Sequence, residues 1–134
     1  MIVADTNLVA YLYIEGGHTA IARQVYARDP EWAAPRLWQS ELRNVLVRYV
    51  RLGHLGLEGA IAVMTEAGRL LERGEHDVRS EDVLRLAAGS GRTAYDCEFV
   101  ALARALAVPL VTADREVLAA FPDTALSLET FAAG

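Results

Sequence analysis

Short apolar runs alternate along this chain with longer stretches of helical periodicity, and that alternation leaves few folds open. Ile2-Val3-Ala4 is a compact apolar run ending at Asp5, and the chain turns at Asp5-Thr6-Asn7, so it reads as a buried strand. Helical patterns follow over 8–14 and 18–27, and Asp29-Pro30 breaks the second. Trp32-Ala33-Ala34 is a strand candidate closed by Pro35. Two long amphipathic patterns cover 37–52 and 57–73, ended by Gly53 and Gly74. The first is expected to bury Leu42, Val45, Leu46 and Tyr49, and the second aligns Leu57, Ile61, Met64 and Leu71. The short connection between them predicts an antiparallel hairpin.

Asp77-Val78-Arg79 reads as a brief edge strand, and Ser80 as the N-cap of a helix through residue 88. Gly89-Ser90-Gly91 reads as a loop. Thr93 opens another helix, with Tyr95, Phe99, Leu102 and Leu106 inward. Pro109 precedes the strand Leu110-Val111-Thr112, a short helix covers 115–120 before Pro122, and Ala125-Leu126-Ser127 is a last strand candidate. Strands alternating with helices imply one α/β domain over 1–134, built on a central, mostly parallel sheet.

Composition narrows the function classes. With 134 residues, 53% of them apolar, the chain can bury a substantial core. A lone cysteine, Cys97, cannot form an internal disulfide, which fits a reducing compartment. The N-terminus lacks the basic and long apolar regions of a signal peptide, and no apolar run approaches the roughly 20 residues that span a bilayer. A cytoplasmic protein with no membrane partner is expected. All 13 basic residues are arginine. The absence of lysine excludes Schiff-base, P-loop and Ser–Lys chemistries. It also excludes a phosphoacceptor receiver domain. Asn7 stands where a haloacid-dehalogenase-like phosphatase wants a second Asp, and the turn after the first strand lacks the glycines of a dinucleotide site.

Four carboxylates fall where such a sheet can gather them. Sites in open α/β sheets form beyond the carboxyl ends of the strands. Asp5 and Asp114 each follow a strand candidate. Glu41, with Leu37, Trp38 and Val45 as helical neighbours, borders a buried stripe, and Asp96 lies in the first turn of its helix. Each acid also has an ordinary structural reading: Asp5 and Asp114 as N-caps, Asp96 closing a capping box with Thr93, Glu41 paired to Arg36. What those readings leave unexplained is the convergence. Two unit charges 4 Å apart repel by about 1 kcal/mol in water and about 4 kcal/mol at an effective dielectric of 20. A divalent cation removes that cost. Hard oxygen ligands suit Mg²⁺ or Mn²⁺, which activate water and stabilise charge developing on a phosphate. Phosphodiester hydrolysis needs no His, Ser or Lys.

Together these segments resemble the motifs of PIN-domain nucleases. Val3-Ala4-Asp5-Thr6-Asn7 matches the opening motif, and Glu41-Leu42 with Asn44 resembles the helical glutamate motif. Tyr95-Asp96 followed by Phe99-Val100-Ala101-Leu102-Ala103 resembles the third, and Leu110-Val111-Thr112-Ala113-Asp114 the fourth. In size the chain resembles the VapC-type toxins of prokaryotic toxin–antitoxin pairs. The resemblance implies a three-layer α/β/α fold, Mg²⁺- or Mn²⁺-dependent endoribonuclease activity, a homodimer, and a small antitoxin protein that blocks the site. It implies that Asp5, Glu41, Asp96 and Asp114 hold metal or activate water, and that Asn7, Thr112 and Thr6 support them by hydrogen bonds. Glu98 and Glu116 are the nearest further acids. Glu98 is expected to project to another side of its helix, and both stay outside the expected site.

An acidic chain, net charge −5, still needs local positive charge to hold RNA. Arg92, in the Gly-rich loop ahead of Asp96, is the first candidate. Single-stranded or looped RNA suits such a site, because its bases are accessible. Trp38, Tyr11, Tyr13 and Tyr26 read as packing residues, His18, His54 and His76 lack ligand-like spacing, and Cys97 reads as a buried, inert thiol. The competing reading keeps the fold without the chemistry: an inactive PIN-like module that binds RNA or a protein partner.

Overall fold

A computed structural model describes residues 1–134. Five strands form one sheet in the order β3-β2-β1-β4-β5, with every neighbouring pair parallel. They are β1 (Ile2–Ala4), β2 (Trp32–Pro35), β3 (Glu75–His76), β4 (Leu110–Val111) and β5 (Ala125–Leu126). Val3 sits opposite Ala33 on one side and Leu110 on the other, so β1 is the centre of the sheet. The strands are short, yet β1, β2 and β4 are buried throughout, as a parallel sheet covered on both faces requires.

Eight helices surround it: α1 (Thr6–Tyr13), α2 (Thr19–Arg28), α3 (Trp38–Arg51), α4 (Leu57–Leu71), α5 (Ser80–Ser90), α6 (Ala94–Leu106), α7 (Arg115–Ala120) and α8 (Leu128–Ala133). Helix α6 packs on β1, β2 and β4 and is backed by α5. Helices α1 to α4 form a second group, with α4 on β2, and α8 docks on α2. Thirty-one buried hydrophobic residues make a single connected cluster.

The chain leaves β1 toward β2 and β3 on one side and returns to β4 on the other. The strand order therefore reverses between β1 and β4. In doubly wound sheets that reversal opens a crevice beyond the carboxyl ends of the two strands. Asp5 follows β1 and Asp114 lies just beyond β4.

Several expectations are corrected. The third strand is Glu75–His76, not 77–79. Gly74 sets its place: its N–H bonds Leu71, its carbonyl accepts from Ala34, and a Cβ there would come within 2.0 Å of the Trp32 carbonyl oxygen. Only a glycine lets β3 approach β2 so closely. Pro35 belongs to β2, where it needs no donor of its own toward β3. Arg79, not Ser80, occupies the N-cap of α5, which runs on through Gly89 and Ser90 to the left-handed Gly91. Tyr95 is 62% exposed, because it lies in the first turn of α6, beyond the edge of the core. On α4 the inward stripe is Ala60, Val63, Ala67 and Leu71, while Leu57 and Ile61 face solvent. Small side chains let that helix sit close to the sheet. Val45 and Tyr49 are only half-buried beside Leu42 and Leu46. Helix α8, absent from the sequence reading, is capped by Ser127, whose hydroxyl accepts from the Thr130 N–H.

Candidate active site

Four elements deliver four acids to the crevice. Asp5 is the N-cap of α1, accepting from the Thr6 N–H at 2.8 Å. Glu41 comes from the first turn of α3 and Asp96 from the first turn of α6, where Thr93 caps the helix by accepting from the Asp96 N–H. Asp114 caps α7, accepting from the N–H groups of Glu116 and Val117. The capping readings are thus correct for Asp5 and Asp114, and the Thr93 half of the capping box is present. Being a cap fixes where such a carboxylate stands without exhausting what it does. The Arg36 reading of Glu41 is not borne out, since Arg36 binds Glu75 and Asp77 instead.

Thr112 organises the floor. It is fully buried, and its hydroxyl donates to Asp5 Oδ2 at 2.6 Å while accepting from the Asp114 N–H at 3.0 Å. Asn7 Nδ2 donates to Thr112 Oγ1 at 3.4 Å, and Asn7 Oδ1 accepts from the Ala113 N–H at 3.3 Å. Two turns of chain more than a hundred residues apart are stitched together by these bonds. Thr6 is buried and donates its hydroxyl to Glu41 Oε1 at 2.7 Å, tying α1 to α3. Thr6, Asn7 and Thr112 thus each bond an acid or the segment that carries one.

The electrostatics show that the acids feel one another. Burial pushes Asp5 up to about 6, against the Thr112 and Thr6 hydrogen bonds, and the charges of Asp96 and Asp114 push the same way. Burial also raises Glu41, with Asp5, Asp96 and Glu98 adding to the rise against the Thr6 hydrogen bond. Asp96 is raised by burial and by Asp114, and held back by its Thr93 bond and by Arg92. Three of the four acids are therefore costly to ionise in the bare protein, through desolvation and mutual repulsion together.

Two acids outside the expected set border it. Glu98 is close enough to raise Glu41, and Glu116 both raises Asp96 and forms an ion pair with Arg92. Arg92 therefore stands at the acid cluster, with its charge already shared. Cys97 is buried, with its thiol pushed up by burial, as an inert core cysteine would be.

The donor set is all carboxylate oxygen, which suits Mg²⁺ or Mn²⁺ rather than a softer metal. No three acidic, His or Cys side chains converge closely enough as they stand to cage an ion. The acids instead spend oxygens on Thr6, Thr112 and the α7 N-terminus. Mg²⁺ is commonly held by one or two carboxylates and keeps several waters, so this donor set fits it without a preformed cage.

Known proteins agree with this architecture. The chain is 27% identical over 124 residues to Ribonuclease VapC3 of Pyrobaculum aerophilum, covering 90% of this chain and 95% of that one. The crystal structure of PAE2754 from Pyrobaculum aerophilum superposes with a TM-score of 0.78 at 25% identity, covering 98% of this chain and 93% of the other. The sequence profile of the PIN domain matches residues 2–123, the stretch that holds all four acids and every strand but the last. This chain belongs to the PIN domain family.

Proposed function

We propose that this protein is an endoribonuclease dependent on Mg²⁺ or Mn²⁺, and that it is the toxin of a toxin–antitoxin pair. The observation that carries the reading is the mutual coupling of Asp5, Glu41, Asp96 and Asp114 at the strand-order reversal. Such repulsion opposes folding and is offset when a divalent cation is bound. The likeness to a protein named a ribonuclease supports RNA as substrate, and the VapC name supports a small antitoxin as partner.

Asp5, Asp96 and Asp114, with Glu41, would hold the ion, whose chemistry there is to activate water and offset charge gathering on the scissile phosphate. The protein's own part is positioning. Thr112 and the Thr6 N–H orient the two oxygens of Asp5, and the Thr6 hydroxyl orients Glu41. Burial and the neighbouring acids raise Glu41, which suits it to accept a proton from an attacking water. Arg92, beside Asp96, stands where a phosphate oxygen needs a counter-charge, once it exchanges Glu116 for substrate.

The test is cleavage of defined single-stranded RNAs by the purified protein with Mn²⁺, with Mg²⁺, and with chelator. Activity should require the ion and should be lost in Asp5→Asn and Asp96→Asn, with circular dichroism unchanged. Full activity in chelator, or undiminished cleavage by both folded variants, would overturn the reading in favour of an inactive binding module. A homodimer is expected in solution, and sedimentation velocity reads it directly.

A further inference from the structure

A cleft of about 460 Å³ opens between α1, α3 and the turn after α3, and it adjoins the acid cluster at Asn7. Its lining includes Asn7, Tyr11, Val45, Arg48, Tyr49 and His54. Asn7 is shared with the acid cluster, where it bonds Thr112 and Ala113. The remaining geometry follows from α3. Glu41, Val45, Arg48 and Tyr49 are spaced four, seven and eight residues along one helix, so they share a face. At 1.5 Å per residue, Arg48 stands roughly 10 Å along the axis from Glu41. The cleft therefore runs on from the site along the same face of α3.

Its chemistry is the complement of the acids. No carboxylate lines it. Arg48 is exposed and forms no ion pair, whereas Arg36 and Arg92 are tied to acids. Tyr11 is held in place by stacking on His18 at 4.2 Å between ring centroids, and Tyr49 meets His54 at a steep 67°. A cluster of carboxylates repels a polyanion, so a strand that reaches it needs an anchor outside the cluster. An unpaired arginine beside half-buried aromatic rings supplies phosphate neutralisation and a stacking surface together.

We propose that this cleft is a subsite for single-stranded RNA, with Arg48 on a backbone phosphate flanking the cut and Tyr49 stacking the adjoining base. The proposal rests on the ribonuclease reading for the position of the cut, but not for the binding itself. The order of contacts follows the helix: scissile phosphate at the acids, then Asn7, then Arg48 and Tyr49.

The experiment pairs binding with cleavage. Binding of a fluorescent, single-stranded octanucleotide RNA to the full chain is read by anisotropy across a salt series, with Ca²⁺ in place of Mg²⁺ so that the strand stays intact. Arg48→Ala should weaken it about tenfold and flatten the log–log salt slope by about 0.7. Arg48→Lys should recover much of the loss. Tyr49→Leu should weaken binding about tenfold with little change in salt slope, while Tyr49→Phe, which keeps the ring, should bind like the parent. Arg23→Ala, an equal loss of charge on α2, should bind like the parent. In cleavage, Arg48→Ala should raise KM for the octanucleotide far more than for a dinucleotide too short to reach the cleft. Equal losses on both lengths, or parental binding by Arg48→Ala and Tyr49→Leu, would overturn the subsite. Arg48-dependent binding by a protein that cuts nothing would keep the subsite and sink the nuclease reading. Cleavage indifferent to Arg48 would do the reverse.

Discussion

Thr112 is one small side chain with an outsized share of the site. Its hydroxyl serves Asp5, Asp114 and Asn7 at once, from a position with no solvent access. Valine has nearly the same shape and none of that capacity. Thr112→Val should leave an Asp5 oxygen and the Asp114 N–H without partners and cost about 2–3 kcal/mol. Thr112→Ser, which keeps the hydroxyl, should stay within about 1 kcal/mol. Urea denaturation midpoints of the two variants separate the hydroxyl from the methyl. Glu41 makes the opposite case. Glutamine there can still accept from Thr6 but cannot repel Asp5, Asp96 or Glu98. Glu41→Gln should therefore stabilise the metal-free protein by about 0.5–1 kcal/mol, a rise of a few degrees in Tm. A lower Tm in chelator would remove repulsion from the account of this site.

At the scale of elements, β3 is held by a single acid at its start. Glu75 accepts from Trp38 Nε1 and Gln39 Nε2, each at 2.7 Å, and pairs with Arg36 at 2.8 Å, so it clamps the edge strand to the N-terminus of α3. Those bonds hold its carboxyl below the ordinary value of 4.5, the Gln39 bond foremost. A lowered carboxylate stabilises the fold fully above its unfolded pKa and loses that contribution as pH falls through its folded pKa. Glu75→Ala leaves the buried Trp38 N–H unpaired and should cost about 2–3 kcal/mol at pH 7. The gap between parent and variant should shrink only below about pH 4.5, as denaturation across pH 3–7 would show. The sequence made the elements legible where periodicity or punctuation decided them: the alternation of strand and helix, the 115–120 helix and the Thr93 cap were all readable. It misplaced β3 because the cause is a close backbone approach at Gly74, which no pattern of side chains records. On α4 it was right about Leu71 and Met64 but put Leu57 and Ile61 inward in place of Ala60, Val63 and Ala67, because large apolar residues outweigh alanines in a pattern while the sheet selects the small ones. Ser127-x-x-Thr130 did carry a cap signal for α8, in a segment too short for periodicity to register.

For the whole molecule, the acids were easy to find and their relations were not. Their positions at element termini were readable, because Asp5, Asp96 and Asp114 sit beside turn and cap residues. That Thr6 reaches Glu41, or that Asn7 reaches Thr112, depends on the strand order, which a single sequence does not specify. Once assembled, the arrangement sets local repulsion against global stability in a chain already at net charge −5. The bare protein carries that cost in the acids raised by burial and by one another, and a bound cation should relieve it. A ligand that binds only the folded state stabilises by about 2.7 kcal/mol at a concentration 100 times its Kd. Thermal unfolding should therefore shift upward with rising Mn²⁺, and the shift should grow logarithmically beyond the Kd without levelling off. Asp96→Asn should begin above the parent's Tm in chelator and gain much less from the metal. The two melting curves should cross as Mn²⁺ is added, the variant more stable without the ion and the parent more stable with it. Repulsion alone predicts the first half of that crossing, and metal binding alone predicts the second. Parallel curves at every Mn²⁺ concentration would mean that Asp96 neither repels its neighbours nor holds the ion.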